Sequence, residues 1–215
     1  MRTISEIYKH YRLPSNLQAH QLRVAAVAQY ICNHCTVEVN TEKVTQAALL
    51  HDMGNIIKFN LGYFPEALEP EGLEYWQQVQ NDYKHAYGLD EHAASIAIAK
   101  ELGVTDDVID YIDHVDFPLL EKNAQSNCWE KKICAYADLR VAPAGIVSIQ
   151  ERLEDGYNRY KDRPEKAIPS DSYHVLIQSL HRIERQLQEV STIDLSTISE
   201  DVLAGNIEAL KSFTI

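Results

Sequence analysis

An all-α fold is what this sequence predicts. Apolar residues recur at spacings of three and four along most of its length, no run alternates with period two over the length of a strand, and capping residues stand before the periodic segments. Only 8 Gly and 7 Pro occur in 215 residues, so long irregular stretches should be few.

The elements follow in order. Residues 3–12 read as a short leading helix, broken at Pro14, with Ser15 as the N-cap of the next. That second helix runs from about 16 to 35 and carries His20, Val24, Val27, Ala28 and Ile31 on one face. A third starts near Asn40-Thr41, with Val44, Ala47, Ala48 and His51 turned inward. Gly54 is expected to end it through a left-handed turn. Residues 54–72, with three Gly and two Pro, form the longest irregular stretch, of the kind that covers a site. A helix with Trp76, Val79 and Tyr83 follows. Asp90 caps the next, which ends at Gly103, and Thr105 caps one that ends before Pro118. Residues 126–141 make a further helix with Asp138 in its final turn. Ser148 and Glu151 read as a capping box, and Leu176, Leu180, Ile183, Leu187 and Val190 as an apolar seam.

Composition excludes some functions. The net charge of −12 disfavours general nucleic-acid binding, whose affinity rests on Lys and Arg contacts to phosphate. A small anionic ligand is compatible with this charge if a metal inverts the local field. No apolar run has signal-peptide or membrane-spanning character, so the expected location is the cytoplasm. Cys32 and Cys35 form a CxxC, but Cys128 and Cys134 are six apart and do not supply a matching pair. The four read as free thiols on helices.

The chemistry lies in polar residues on buried faces. His20 and His51 both fall on apolar stripes, Asp52 follows His51, and Asp138 ends a later helix in Ala-Tyr-Ala-Asp. A buried imidazole or carboxylate is costly without a partner. Two imidazoles and two carboxylates from three helices suit a divalent metal.

These stretches, His20-Gln21-Leu22-Arg23-Val24-Ala25, Ala47-Ala48-Leu49-Leu50-His51-Asp52-Met53-Gly54 and Ala135-Tyr136-Ala137-Asp138, resemble the HD superfamily of metal-dependent phosphohydrolases over roughly residues 15–142. The resemblance implies a helical HD core over 1–145, with residues 146–215 as a C-terminal helical extension packed on it. It implies that His20, His51, Asp52 and Asp138 are metal ligands. The binuclear branch has two further histidines, for which His92 and His114 stand in similar helical context. In that arrangement Asp52 bridges two ions; without it the site holds one. The branch implied resembles bacterial hydrolases of dinucleoside polyphosphates; no GYP motif is present, which argues against cyclic di-GMP.

The expected reaction is hydrolysis of a phosphoester or phosphoanhydride in a small nucleotide-like substrate by metal-activated water. Asp52 and His51 stand at its centre, and Arg23 and Lys58 are candidate phosphate contacts. Lys84 and Arg140 are weaker candidates of the same kind, and His85 a candidate proton donor. The family often places a Lys closer to the Gly after the His-Asp pair; here the nearest is Lys58. Imidazole ligands point to Mn, Fe, Co or Ni. Two rival readings share the ligand set: a di-iron oxygenase, and a non-catalytic metal-stabilised module that binds a nucleotide or partner protein.

Overall fold

The structure is a computed structural model that describes residues 1–62, 68–160 and 170–215, without the side chains of 159–160 and 170–171. Among them are eleven α-helices and one two-residue-per-strand hairpin. Tyr63 and Phe64, two of the aromatics in the irregular 54–72 stretch, lie outside the described residues.

The first helix, α1 (Ile4–His10), starts with a reciprocal Thr3–Glu6 capping box and buries Ile4, Ile7 and Tyr8. The Tyr8 hydroxyl donates to Leu49 O at 2.8 Å and so braces the helix that leads to His51. Helix α2 (Ser15–Asn33) begins after Pro14, which takes the N-cap place; Ser15 is the first helical residue, and no side chain caps this end. Helix α3 (Thr41–Leu50) is capped by Asn40, whose side chain accepts from Lys43 N. The α2–α3 pair is the centre of the molecule. Val24, Val27, Ile31, Val44, Leu49 and Leu50 are fully buried, each stabilising the fold by about 1.5–3 kcal/mol relative to exposure.

Gly54 departs from expectation. Its backbone is right-handed (φ −90°), so it is not a left-handed helix stop. The need for glycine there is one of space. An added Cβ would lie 2.3 Å from Glu91 O and 2.6 Å from Ala94 Cβ, so α5 (Glu91–Glu101) can approach only a glycine. The Gly54 N–H donates to Ser95 Oγ at 2.9 Å, which locks the turn against α5. The irregular stretch after it opens with a 3-10 turn over Asn55–Lys58. Helix α4 (Leu73–Tyr87) packs on that turn through Gln80, whose amide donates to Ile56 O and Phe59 O. Trp76, Val79 and Tyr83 are buried as their spacing implies.

Asp90 caps α5 by accepting from His92 N and Ala93 N. Thr105 precedes α6 (Asp106–Asp113) but makes no side-chain cap bond. The stretch before Asp138 is shorter and more broken than its sequence suggests. A helix α7 (Leu120–Gln125) comes first, and α8 (Trp129–Asp138) begins after its N-cap Cys128 rather than at residue 126, and ends at Asp138 rather than at 141. The chain then makes a hairpin of β1 (Val141–Ala142) and β2 (Gly145–Ile146), which two-residue strands are too short to announce by alternation.

The Ser148–Glu151 capping box forms at the start of α9 (Ile149–Tyr160). In α10 (Ser170–Glu189), Leu176, Leu180, Ile183 and Leu187 are buried against α7 and α8, while Val190 lies just past the helix and is half-buried. Helix α11 (Glu200–Leu210) packs on α2. Arg140, 3% exposed, joins these C-terminal segments to the rest. Its guanidinium donates to Val147 O, Leu195 O, Ile198 O and the Tyr136 hydroxyl at 2.6–3.1 Å. All four cysteines are free. Cys32 and Cys134 are buried, and burial pushes the Cys32 thiol up to about 12; Cys35 and Cys128 are half-buried at helix ends. Among the described residues no helix is long and apolar enough to cross a membrane.

Candidate metal centre

Three elements meet at one polar spot inside the helical core. Helix α2 presents His20, the turn after α3 presents His51 and Asp52, and the last residue of α8 is Asp138. Donor atoms of His20, His51 and Asp52 all lie within 4.8 Å of one another. Asp138 Oδ1 is 3.1 Å from His20 Nε2 and 3.4 Å from His51 Nε2. Asp52 Oδ2 is 3.6 Å and 3.7 Å from the same two nitrogens. The carboxylates thus face the two imidazoles.

His51 is the most informative member. It is 4% exposed, and its Nδ1 lies 2.8 Å from Ala48 O. That nitrogen therefore carries a proton and donates to the carbonyl, so Nε2 is the nitrogen that faces the cluster. Nε2 is buried and has no hydrogen-bond partner. Its approach to Asp138 is off the hydrogen-bond direction, so that contact is electrostatic. Burial works against the imidazolium of His51, but Asp52 and Asp138 outweigh it and raise the pKa to about 9. Burial alone would raise Asp138, yet the imidazoles of His20 and His51 hold it well below the usual carboxylate range. A buried, unpartnered imidazole nitrogen facing carboxylates is the environment a divalent cation satisfies, and the donor set of two N and two O suits a transition metal.

Residue Gln21 was not singled out by its sequence. It is fully buried, and its Oε1 accepts from Asp52 N at 3.2 Å while its amide nitrogen lies 3.8 Å from Met53 Sδ. It ties the His-Asp turn to α2, next to His20. The signal was present: Gln21, Ala25 and Ala28 form a second stripe on α2 with core spacing, so a polar residue there needed a partner.

The remaining candidates have other partners. His92 is partly exposed, with Nε2 3.3 Å from Asp113 Oδ1. His114 is buried, with Nδ1 2.8 Å from Asp110 O and Nε2 3.4 Å from Lys131 Nζ. Its own carbonyl accepts from Asn123. Neither joins the group formed by His20, His51 and Asp52. Arg23 shares α2 with His20, but its Nε donates to both oxygens of Glu200, at 2.8 and 3.0 Å. Lys58 pairs with Glu91 at 3.1 Å. Lys84 donates to Gln80, and Arg140 is consumed by the carbonyls named above. His85 is exposed on α4. The Tyr83 hydroxyl donates to Tyr11 O and that of Tyr87 to Glu101, which gives both a bracing role.

Comparison with curated proteins and with solved structures gives no match. A family model does match: the HD domain, over residues 17–139, which is more than half of the chain and spans the helices that bring His20, His51, Asp52 and Asp138 together. On that match and that geometry, the chain belongs to the HD domain family, whose members are typically metal-dependent phosphohydrolases.

Proposed function

We propose that the protein is a metal-dependent phosphohydrolase that cleaves a phosphoester or phosphoanhydride in a small nucleotide-like substrate. One observation carries the reading: His51 Nε2 is buried, unpartnered and directed at a cluster of one further imidazole and two carboxylates. His20, His51, Asp52 and Asp138 would hold the ion. When bound, a divalent cation of this kind supplies Lewis acidity and lowers the pKa of water toward neutrality.

The rest of the chemistry belongs to the chain. The Ala48 carbonyl fixes the tautomer and ring plane of His51. Gln21 fixes the backbone of Asp52 through its N–H. The half-exposed sides of His20, Asp52 and Asp138 leave one face of the cluster open to a small substrate. Manganese, iron, cobalt or nickel fit the imidazole donors. The reading is of one ion at this set. A second, at His92 and His114, would require those rings to leave Asp113 and Lys131.

The test is Asp52→Ala in the full chain, compared with wild type by elemental analysis and by turnover of a nucleotide panel and bis(p-nitrophenyl) phosphate. Wild type should carry about one of these metals per chain and hydrolyse at least one substrate. Asp52→Ala should lose most of both while keeping its helical circular-dichroism spectrum. Unchanged metal content and unchanged turnover in the variant would refute the proposal.

A further inference from the structure

Glu200 is the first residue of α11, outside the segment that matches the family, yet its carboxylate reaches the helix of the metal centre. Oε1 and Oε2 accept from Arg23 Nε at 2.8 and 3.0 Å, and Oε2 also accepts from the backbone N–H of Ile146 at 3.3 Å. Gly145 keeps the approach open. It has φ +137°, and a Cβ there would stand 3.3 Å from Oε2. A guanidinium and a hairpin N–H converging on two oxygens form a donor set suited to an oxyanion. Arg23 lies three residues after His20, on the same side of α2.

The ion pair is not what docks α11. That helix is anchored by fully buried Leu203 and nearly buried Leu210, and the segments leading into it by Arg140. The pair itself is open to water, with side-chain exposures of 24% for Arg23 and 44% for Glu200. Such a pair is weak and exchangeable. A phosphate group offers the same oxygens at higher charge.

We propose that Arg23 and the Ile146 N–H form a seat for a phosphate oxyanion of the substrate, and that Glu200 fills this seat as an intramolecular stand-in that the ligand displaces. The source of the phosphate rests on the phosphohydrolase reading; the seat itself does not. Glu200 thereby selects for ligands charged enough to compete with a carboxylate already in place.

The experiment measures inorganic phosphate binding by calorimetry, on the full chain with a chelator present so that no metal contributes. Glu200→Gln keeps the shape of the side chain and an acceptor for Ile146 N–H, but removes the charge. It should bind phosphate about fivefold more tightly than wild type, the factor by which a surface pair at the strong end of its range keeps Arg23 occupied. Adding Arg23→Gln should abolish the gain. Equal or weaker binding by Glu200→Gln, or a gain that survives loss of Arg23, overturns the proposal. A second measurement needs no variant. Saturating phosphate should speed amide hydrogen exchange in the first turn of α11 of the wild-type chain as Glu200 is released, and unchanged exchange also overturns it. Turnover assays of the metal-loaded protein are separate, so a true hydrolase without this seat and a true seat without hydrolysis are told apart.

Discussion

Two neighbouring residues of α2 divide the labour at the candidate metal centre: His20 faces the cluster itself, and Gln21 holds the backbone of Asp52, which faces it too. The Asp52 N–H is satisfied only through Gln21 Oε1 among the contacts seen for it. Gln21→Met keeps the volume and removes that acceptor. The buried N–H is then unpaired, at a cost of about 1–3 kcal/mol, read as a lower midpoint in urea denaturation. Because Asp52 loses its backbone anchor, metal affinity should fall by about 10–100-fold in a competition titration. If affinity is unchanged while stability drops, Gln21 is a core residue and nothing more. The four candidate residues stood out in the sequence, since His20 and His51 are polar residues on apolar faces, Asp52 adjoins His51 and Asp138 ends an apolar helix. The partners of Arg23 and Lys58 were not, because Glu200 and Glu91 are distant in sequence and no local pattern relates them.

At the scale of elements, the site depends on how closely α5 approaches the turn after α3. Gly54→Ala would place a methyl group 2.3 Å from Glu91 O and 2.6 Å from Ala94 Cβ. Backbone cannot yield as a side-chain tip can, so overpacking of about 1–3 kcal/mol is expected. The Gly54–Ser95 hydrogen bond should weaken with it, along with the position of Asp52 two residues earlier. Gly62→Ala is the control: its nearest neighbour among the described residues, Asn60 Oδ1, would be at an ordinary 3.5 Å, and its effect should stay within about 0.5 kcal/mol. Thermal unfolding of the pair checks this; equal shifts in both variants would remove the steric argument. Most helices and their order were legible, because amphipathic spacing is a local property; the short α7, the early end of α8 at Asp138 and α11 were not. The reason for Gly54 was not, since a glycine needed for a left-handed turn and one needed for close approach look alike in a sequence.

For the whole molecule, the joint between core and C-terminal segments is a buried cation. Arg140 stands two residues after Asp138 and satisfies carbonyls of Val147, Leu195 and Ile198 with one planar fork. Arg140→Met would remove the guanidinium from all three carbonyls, of which Leu195 O keeps a long bond from Ile198 N at 3.4 Å, and a loss of about 3 kcal/mol is expected in denaturant titration. Limited proteolysis should then cut within 190–200 before the helical core. Arg140→Lys should recover only part of the loss, because an ammonium cannot reach the same set of oxygens. Full recovery by Lys would show that charge, not the fork, is what matters. Sequence alone left Arg140 as a weak phosphate candidate; its burial, which no local pattern reveals, reassigns it to the frame.

By itself the sequence determined the all-α class, and it singled out the four residues of the candidate metal centre and their division among three helical segments. These follow from period, capping chemistry and the cost of burying polar groups, all of which act within a few residues of chain. Only the tertiary structure decided which cations are already paired, that Gln21 holds Asp52, and that His92 and His114 face Asp113 and Lys131. It also decided that a C-terminal glutamate sits on Arg23. Those outcomes depend on contacts between segments up to 177 residues apart, and pairing at that range is set by how the helices pack, not by what any one helix contains.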